Sequence, residues 1–508
     1  MTYLIDWVHD ARERTCELVA DLSDSQLMGP RLLTVNPLLW EIGHVAWFQE
    51  KWVLRRVARP ESSKGVRNRK DHHALRIHAQ GVPPLPSLRA DADALYDSAA
   101  IPHDVRWDLP LPGREETLRY LTEVRDRAIE KLQGRQLTQE DIYFTLLSVF
   151  HEDMHTEAFT YTRQTLGYPA PRLQIADCRL QIEKSASSNL QSAICNLQSH
   201  TEGPLPGDVL IPGGLFQMGA ARDEPFVFDN EKWAHPVQVQ PFAIAKAPVT
   251  QAEFAAFVTD GGYRQPRFWS EDGWSWRTQA GAEHPVYWQG QSSGSWLRRD
   301  FDRWVPLEAH RPVLHVNWHE AMAYCSWAGR RLPTEVEWEV AAAAEPQSPA
   351  QRTEDRGLRI ESPDSILDPR SSILNPLQVA PRKRRFPWGD SLTHHSPHTT
   401  HHSPPANLDW QAMGCVDVAD FAGGDSAFGC RQMIGNVWEW TASVFLPYPG
   451  FHADPYKEYS QPWFGTHKVL RGGCWASRSR LLRNTWRNFY LPERRDVWAG
   501  FRTCALEP

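Results

Sequence analysis

The chain predicts an α-helical bundle followed by an α+β domain, and two changes of texture carry that prediction. Up to about residue 170, apolar residues recur at helical spacing; from about 204, short apolar runs are cut by Gly, Pro and Trp. At 508 residues the chain also exceeds the size at which one core usually stops growing, so two or more domains are expected.

The helical part reads in order. Leu4, Ile5, Val8, Leu18, Val19 and Leu22 mark a first helix. A second follows the start signal Asn36-Pro37 and runs through "LLWEIGHVAWFQEKWVLRR". "EETLRYLTEVRDRAIEKLQ" forms a third. The fourth opens at Thr138, with Asp141 three residues on as a weaker form of the capping box, and ends at Gly167. Domain boundaries are expected at 1–172 for the bundle, 173–203 for a low-complexity linker, and 204–508 for the α+β domain. That last domain contains a flexible insertion near 350–405, because "SILDP" and "SILNP" repeat there and "THHSPHTTHHSP" reads as solvated linker.

Composition narrows the function. Hydrophobic residues at 41% and charged residues at 23% are globular, and a net charge of −7 offers no basic footprint for nucleic acid. No apolar run approaches a membrane span, and "MTYLIDWVHDARERT" is acidic where a signal peptide needs a basic start, so a cytoplasmic protein is expected. The 8 cysteines are scattered, without CxxC spacing, and read as buried thiols. The 23 tryptophans can build both a core and a cage for an organic cation.

Within the fourth helix, "VFHEDMHTEAF" places His151 and His155 four apart, so both imidazoles can project from one face toward one ion. Two ligands do not make a site, and polar helix faces carry such pairs by accident. A third imidazole should come from another helix; "WEIGHVAWFQE" supplies His44, which otherwise reads as a buried, hydrogen-bonded histidine.

These residues, with "IPGGLFQMG", "RRLPTEVEWEVAA", "GNVWEWT" and "VLRGGCW", resemble the ergothioneine-type non-haem iron sulfoxide synthases. That resemblance implies a DinB-like four-helix bundle followed by a C-type-lectin-like domain of the formylglycine-generating-enzyme type. It also implies that His44, His151 and His155 hold Fe(II). Three neutral imidazoles suit Fe(II) and leave about three octahedral positions open, although zinc would accept the same set. Formylglycine-generating enzymes use a cysteine pair after the RGG motif, whereas Cys474 stands alone here, so that activity is not expected.

The resemblance also nominates a substrate site. The run "NTWRNFYLP" matches the place where the trimethylammonium of hercynine sits, which implicates Asn488, Phe489 and Tyr490; plain core packing is the competing reading. Arg106 matches an arginine that holds the donor's carboxylate, and His103 stands where a second arginine often lies. Met154 replaces a glutamine that touches the substrate imidazole, and a thioether cannot donate a hydrogen bond. Phe445 occupies the position of the family's catalytic tyrosine, while Tyr448 keeps the second tyrosine of that run and is the candidate proton carrier.

The implied reaction is Fe(II)- and O2-dependent carbon-sulfur bond formation between hercynine and a thiol such as cysteine or γ-glutamylcysteine, giving a sulfoxide. A selenoneine synthase using a selenosugar donor is the near alternative, and a non-catalytic lectin-like binding module the alternative of another class. An ovothiol-type enzyme would instead act on unmethylated histidine.

Overall fold

The computed structural model describes residues 2–56, 85–134, 136–174, 204–346, 379–392 and 404–507. The chain divides into two compact units that interleave in sequence. Unit 1 comprises Met1–Gln174 with Asp300–Arg303 and His452–Pro462, and unit 2 comprises Ile175–Arg299, Trp304–Phe451 and Trp463–Pro508.

Unit 1 contains the long helices α1 (Thr2–Val19), α2 (Leu38–Gln49), α3 (Arg114–Gln133) and α4 (Gln139–Leu166). The signals at the ends of α4 act as read: Thr138 Oγ1 accepts from Asp141 N, Asp141 accepts from Thr138 N, and Gly167 closes the helix at φ 66°. Every residue of α2 is buried, which makes it the central helix of the bundle. The second helix was expected to continue unbroken; instead it passes at Glu50–Leu54 into a π-helical turn, a local widening often found beside functional sites. Gly43 of α2 is required by a close approach: a Cβ there would lie 2.2 Å from the Tyr96 ring. A polar knot ties three helices together, because Glu152 of α4 accepts from Arg12 Nε at 2.9 Å and Thr15 Oγ1 at 2.8 Å, while Arg12 Nη2 also reaches Gln49.

Unit 2 is the α+β domain. One four-stranded sheet runs Asp208–Ile211, Phe242–Ala245, Cys504–Ala505, Arg330–Arg331; another runs Asn488–Tyr490, Lys468–Arg471, Trp438–Val444, Ala499–Gly500. Its core gathers Phe216, Phe242, Ile244, Trp338, Met433 and Tyr448. Short helices start at capped residues such as Thr250, Asn317 and Thr334, each with a glutamate three residues on.

The insertion expected near 350–405 is interrupted. Val379–Lys383 pairs antiparallel with Ala344–Pro346, Phe386 is 2% exposed, and Lys383 Nζ donates to the buried Glu339. A buried carboxylate needs a cation, and that need fixes this short segment in the domain. The remainder, 347–378 and 393–403, lies outside the described residues, as does 175–203 of the expected linker.

Candidate metal centre

Helices α2 and α4 bring His44, His151 and His155 together. Their ring centroids are 5.0 Å apart for His44–His151, 5.0 Å for His44–His155 and 4.6 Å for His151–His155. One ligand atom from each lies within 4.8 Å of the others. His44 and His151 are buried, and burial pushes both well below the ordinary 6.5, with the neighbouring His155 adding to the effect. Neutral rings keep a lone pair for coordination.

Each imidazole is held differently. His44 Nδ1 lies 2.8 Å from the Tyr96 carbonyl, which makes Nδ1 the donor and leaves Nε2 for a metal; Gly43 is what lets the Tyr96 ring come close. Trp40, one turn earlier, stacks on His44 at 4.8 Å. His155 Nδ1 faces Glu41 Oε1 at 3.3 Å, an arrangement of carboxylate and histidine common around metals. His151 makes no hydrogen bond among the described residues. Its ring lies flat on Phe48 at 3.6 Å and meets the edge of Tyr456 at 6.0 Å. Tyr456 belongs to the stretch His452–Pro462 of the same unit, which Tyr143 also anchors by donating to Asp454 at 2.6 Å.

Among the described residues, His151 Nδ1 and Glu41 Oε2 are buried without a hydrogen-bond partner. Leaving such groups unmet costs about 1–3 kcal/mol each, so their concentration at one point marks a functional position. Three converging imidazoles, two of them held neutral by burial, with no carboxylate among them fit a first-row divalent ion that keeps open positions.

Arg106 lies beside this centre. Its guanidinium sits 4.0 Å above Trp40, Nη1 donates to Asn36 Oδ1 at 2.7 Å, Nη2 reaches the Ile101 carbonyl at 3.3 Å, and Nε is buried without a partner. His103 gives its ring to the Val35 carbonyl. Met154, between the two α4 ligands, receives the Tyr459 hydroxyl on its sulfur at 3.7 Å.

The other nominated residues lie in unit 2. Phe445 is fully buried and stacks on Phe489 at 4.1 Å, while the Arg487 guanidinium lies 4.8 Å from Phe445 and 4.1 Å from Tyr448. Tyr448 is 6% exposed, with its hydroxyl 3.4 Å from Glu335, and burial holds it protonated. Asn488, Phe489 and Tyr490 were expected to face one pocket. They form a strand paired with Lys468–Leu470, where side chains alternate, so Asn488 and Tyr490 share one face and Phe489 takes the other. Tyr490 already lies under Arg494 at 5.2 Å. Cys474 is buried, as expected of a packing thiol.

Sequence reading missed Asn36 as more than a helix-start signal, and missed Glu41, Phe48, Tyr96 and Tyr456 altogether. Only Glu41 carried a local clue, being a charge inside the otherwise apolar "LLWEIGHVAWF".

Residues 195–506 match the Sulfatase-modifying factor enzyme 1-like domain, and residues 8–157 match the DinB superfamily. A hercynine oxygenase of Mycolicibacterium thermoresistibile is 33% identical over 500 residues, covering 97% of this chain and 92% of that protein. A hercynine oxygenase of Mycobacterium tuberculosis is 34% identical over 495 residues, covering 97% and 96%. The formylglycine-generating enzyme of Thermomonospora curvata is 29% identical over 335 residues, covering 59% of this chain and 94% of that protein.

Proposed function

The chain belongs to the ergothioneine-type sulfoxide synthase family of hercynine oxygenases, and from that premise we propose that it joins hercynine to a sulfur donor in an Fe(II)- and O2-dependent oxidation, giving a sulfoxide. The observation that carries the reading is the convergence of His44, His151 and His155 in a chain that aligns end to end with proteins named for hercynine. Fe(II) held there would supply the redox chemistry that activates dioxygen.

The chain's own residues have separable roles. His44 and His155 present fixed ring nitrogens because Tyr96 and Glu41 hold their other sides. Arg106 is assigned to the donor's carboxylate, which its unpartnered Nε can meet. Asn488 and Tyr490, sharing a face, are assigned to the trimethylammonium; Phe489 backs the strand against Phe445. Tyr448 is the candidate phenol that carries a proton. Met154 marks the position at which the substrate imidazole loses an amide contact.

A selenosugar donor is the second reading. It is favoured by His103, whose ring is taken by Val35 and offers no second guanidinium to a carboxylate.

The test is oxygen consumption by the iron-loaded protein with hercynine plus cysteine, γ-glutamylcysteine or a selenosugar, with products identified by mass spectrometry. One donor should support turnover with hercynine at least about tenfold better than with histidine, a difference of about 1.4 kcal/mol. Stoichiometric iron with no oxygen uptake on any donor would favour a non-catalytic module. Equal turnover of histidine would favour an ovothiol-type reaction. Among the described residues no helix is long and apolar enough to cross a membrane.

A further inference from the structure

A continuous hydrogen-bond chain leaves the metal centre on one side. His155 Nδ1 faces Glu41 Oε1 at 3.3 Å; the same oxygen accepts from Asn36 Nδ2 at 3.1 Å; Asn36 Oδ1 accepts from Arg106 Nη1 at 2.7 Å. Asn36 is the hinge of that chain, because its amide donates to a carboxylate with one end and accepts from a guanidinium with the other. Arg106 also lies over Trp40 at 4.0 Å, and Trp40 stacks on His44 at 4.8 Å. Thus one guanidinium touches Trp40, which stacks on His44, and Asn36, which bonds the carboxylate facing His155.

The chain is unfinished at both ends. Among the described residues, Arg106 Nε is buried with no partner, and so is Glu41 Oε2, in a side chain only 2% exposed. A carboxylate arriving at Arg106 would complete the guanidinium and compete with Asn36 for it. An amide released or re-aimed at that end alters its grip on Glu41, and Glu41 sets the ring of His155.

We propose that Asn36 is a positioning residue that couples carboxylate binding at Arg106 to the His155 side of the metal centre, so that the donor adjusts the ligand set as it docks. This rests on the three-histidine reading above and adds to it a route by which an anion bound to protein, and not to metal, is felt at the metal.

Cobalt(II), whose visible spectrum reports ligand geometry, replaces iron in the test, and propionate serves as a carboxylate without a thiol. In the unaltered protein propionate should change the cobalt spectrum, and Arg106→Met should abolish that response. Asn36→Ala should also abolish it and should release cobalt to a chelator about tenfold more readily. Asn36→Asp keeps the acceptor for Arg106 but loses the donor to Glu41 and fills the same space, so it should lose the response too, with an unchanged thermal midpoint showing that the fold survives. An Asn36→Asp protein that responds like the unaltered one overturns the coupling. A response that persists in Arg106→Met means that propionate binds cobalt itself, and likewise overturns it. Failure of the unaltered protein to take up cobalt at all is a different result, because it removes the three-histidine reading on which the inference stands.

Discussion

In unit 2, Glu335 and Glu339 stand four residues apart on the helix Glu335–Ala343, and each of their carboxylate oxygens is met by a donor. Arg471 donates to Glu335 at 2.9 Å and to Glu339 at 2.7 Å; Arg487 takes both oxygens of Glu335 at 2.6 and 3.0 Å; Lys383 and the Gly219 amide complete Glu339. In unit 1, among the described residues, Glu41 leaves one buried oxygen unmet and His151 Nδ1 has no hydrogen-bond partner. The two regions bury comparable polar groups and solve the problem in opposite ways. Carboxylates whose oxygens the protein meets itself serve as scaffold; polar groups left unmet amid aromatic walls are what a ligand completes.

Breaking each region should therefore break different things. Replacing His44, His151 or His155 with Ala should remove most bound iron, measured by metal content, while far-ultraviolet circular dichroism stays unchanged. Arg471→Met should do the reverse. It takes one of the cations from each of two buried carboxylates, leaving Glu335 to Arg487 and Glu339 to Lys383, and should destabilise unit 2 by about 3 kcal/mol in denaturant unfolding, since removing one partner of a buried pair leaves charge only partly compensated. A loss below about 1 kcal/mol would mean that the network contributes little to the fold.

Smaller perturbations sharpen the contrast. Glu41→Gln should weaken metal binding about 10–100-fold in chelator competition, as outer hydrogen-bond partners of ligating histidines commonly do. Tyr456→Phe should retain the metal as well as the unaltered protein does, and Tyr456→Ala should retain it less well, because His151 is held by ring packing alone. Equal behaviour of the two variants would show that Phe48 suffices.

A last effect, confined to acid pH, is a pH dependence in unit 2. His315 is buried between Tyr287 and Trp498, and burial first, then Arg298 and Arg299, push it down to about 3. Its folded value lies below the unfolded 6.5, so the unfolded chain takes up the proton first as pH falls. The resulting stability is whole above 6.5 and declines as pH drops from there toward 3. His315→Asn, which tolerates the positive φ of 60° at this position, should flatten the fall in thermal midpoint. An unchanged slope would place the dependence elsewhere.

How far the molecule could be read in advance follows the same division. Helical spacing made the pair His151 and His155 legible, and the resemblance to a known family is what joined His44 to them as a set. The capping of α4 was legible for the same local reason. What surrounds the histidines was not, since Tyr96 arrives through the absent Cβ of Gly43 and Tyr456 through a segment some 300 residues along the chain. The strand at 488–490 was open to a period-two reading, and a match to a family run obscured it; alternation then separates Phe489 from its neighbours. The segment 379–392 lies beside repeats of low complexity, and only the buried partner Glu339 reveals why Lys383 is fixed.

The central claim is that the unmet groups of unit 1 form a centre for one metal ion with three imidazole ligands. X-ray absorption at the iron edge, on protein loaded anaerobically with Fe(II), tests it most directly. One iron per chain, with three histidine-type nitrogen scatterers at about 2 Å and one fewer in His151→Ala, is the predicted result. An iron shell of oxygen alone, or one identical in the His151→Ala protein, would contradict it.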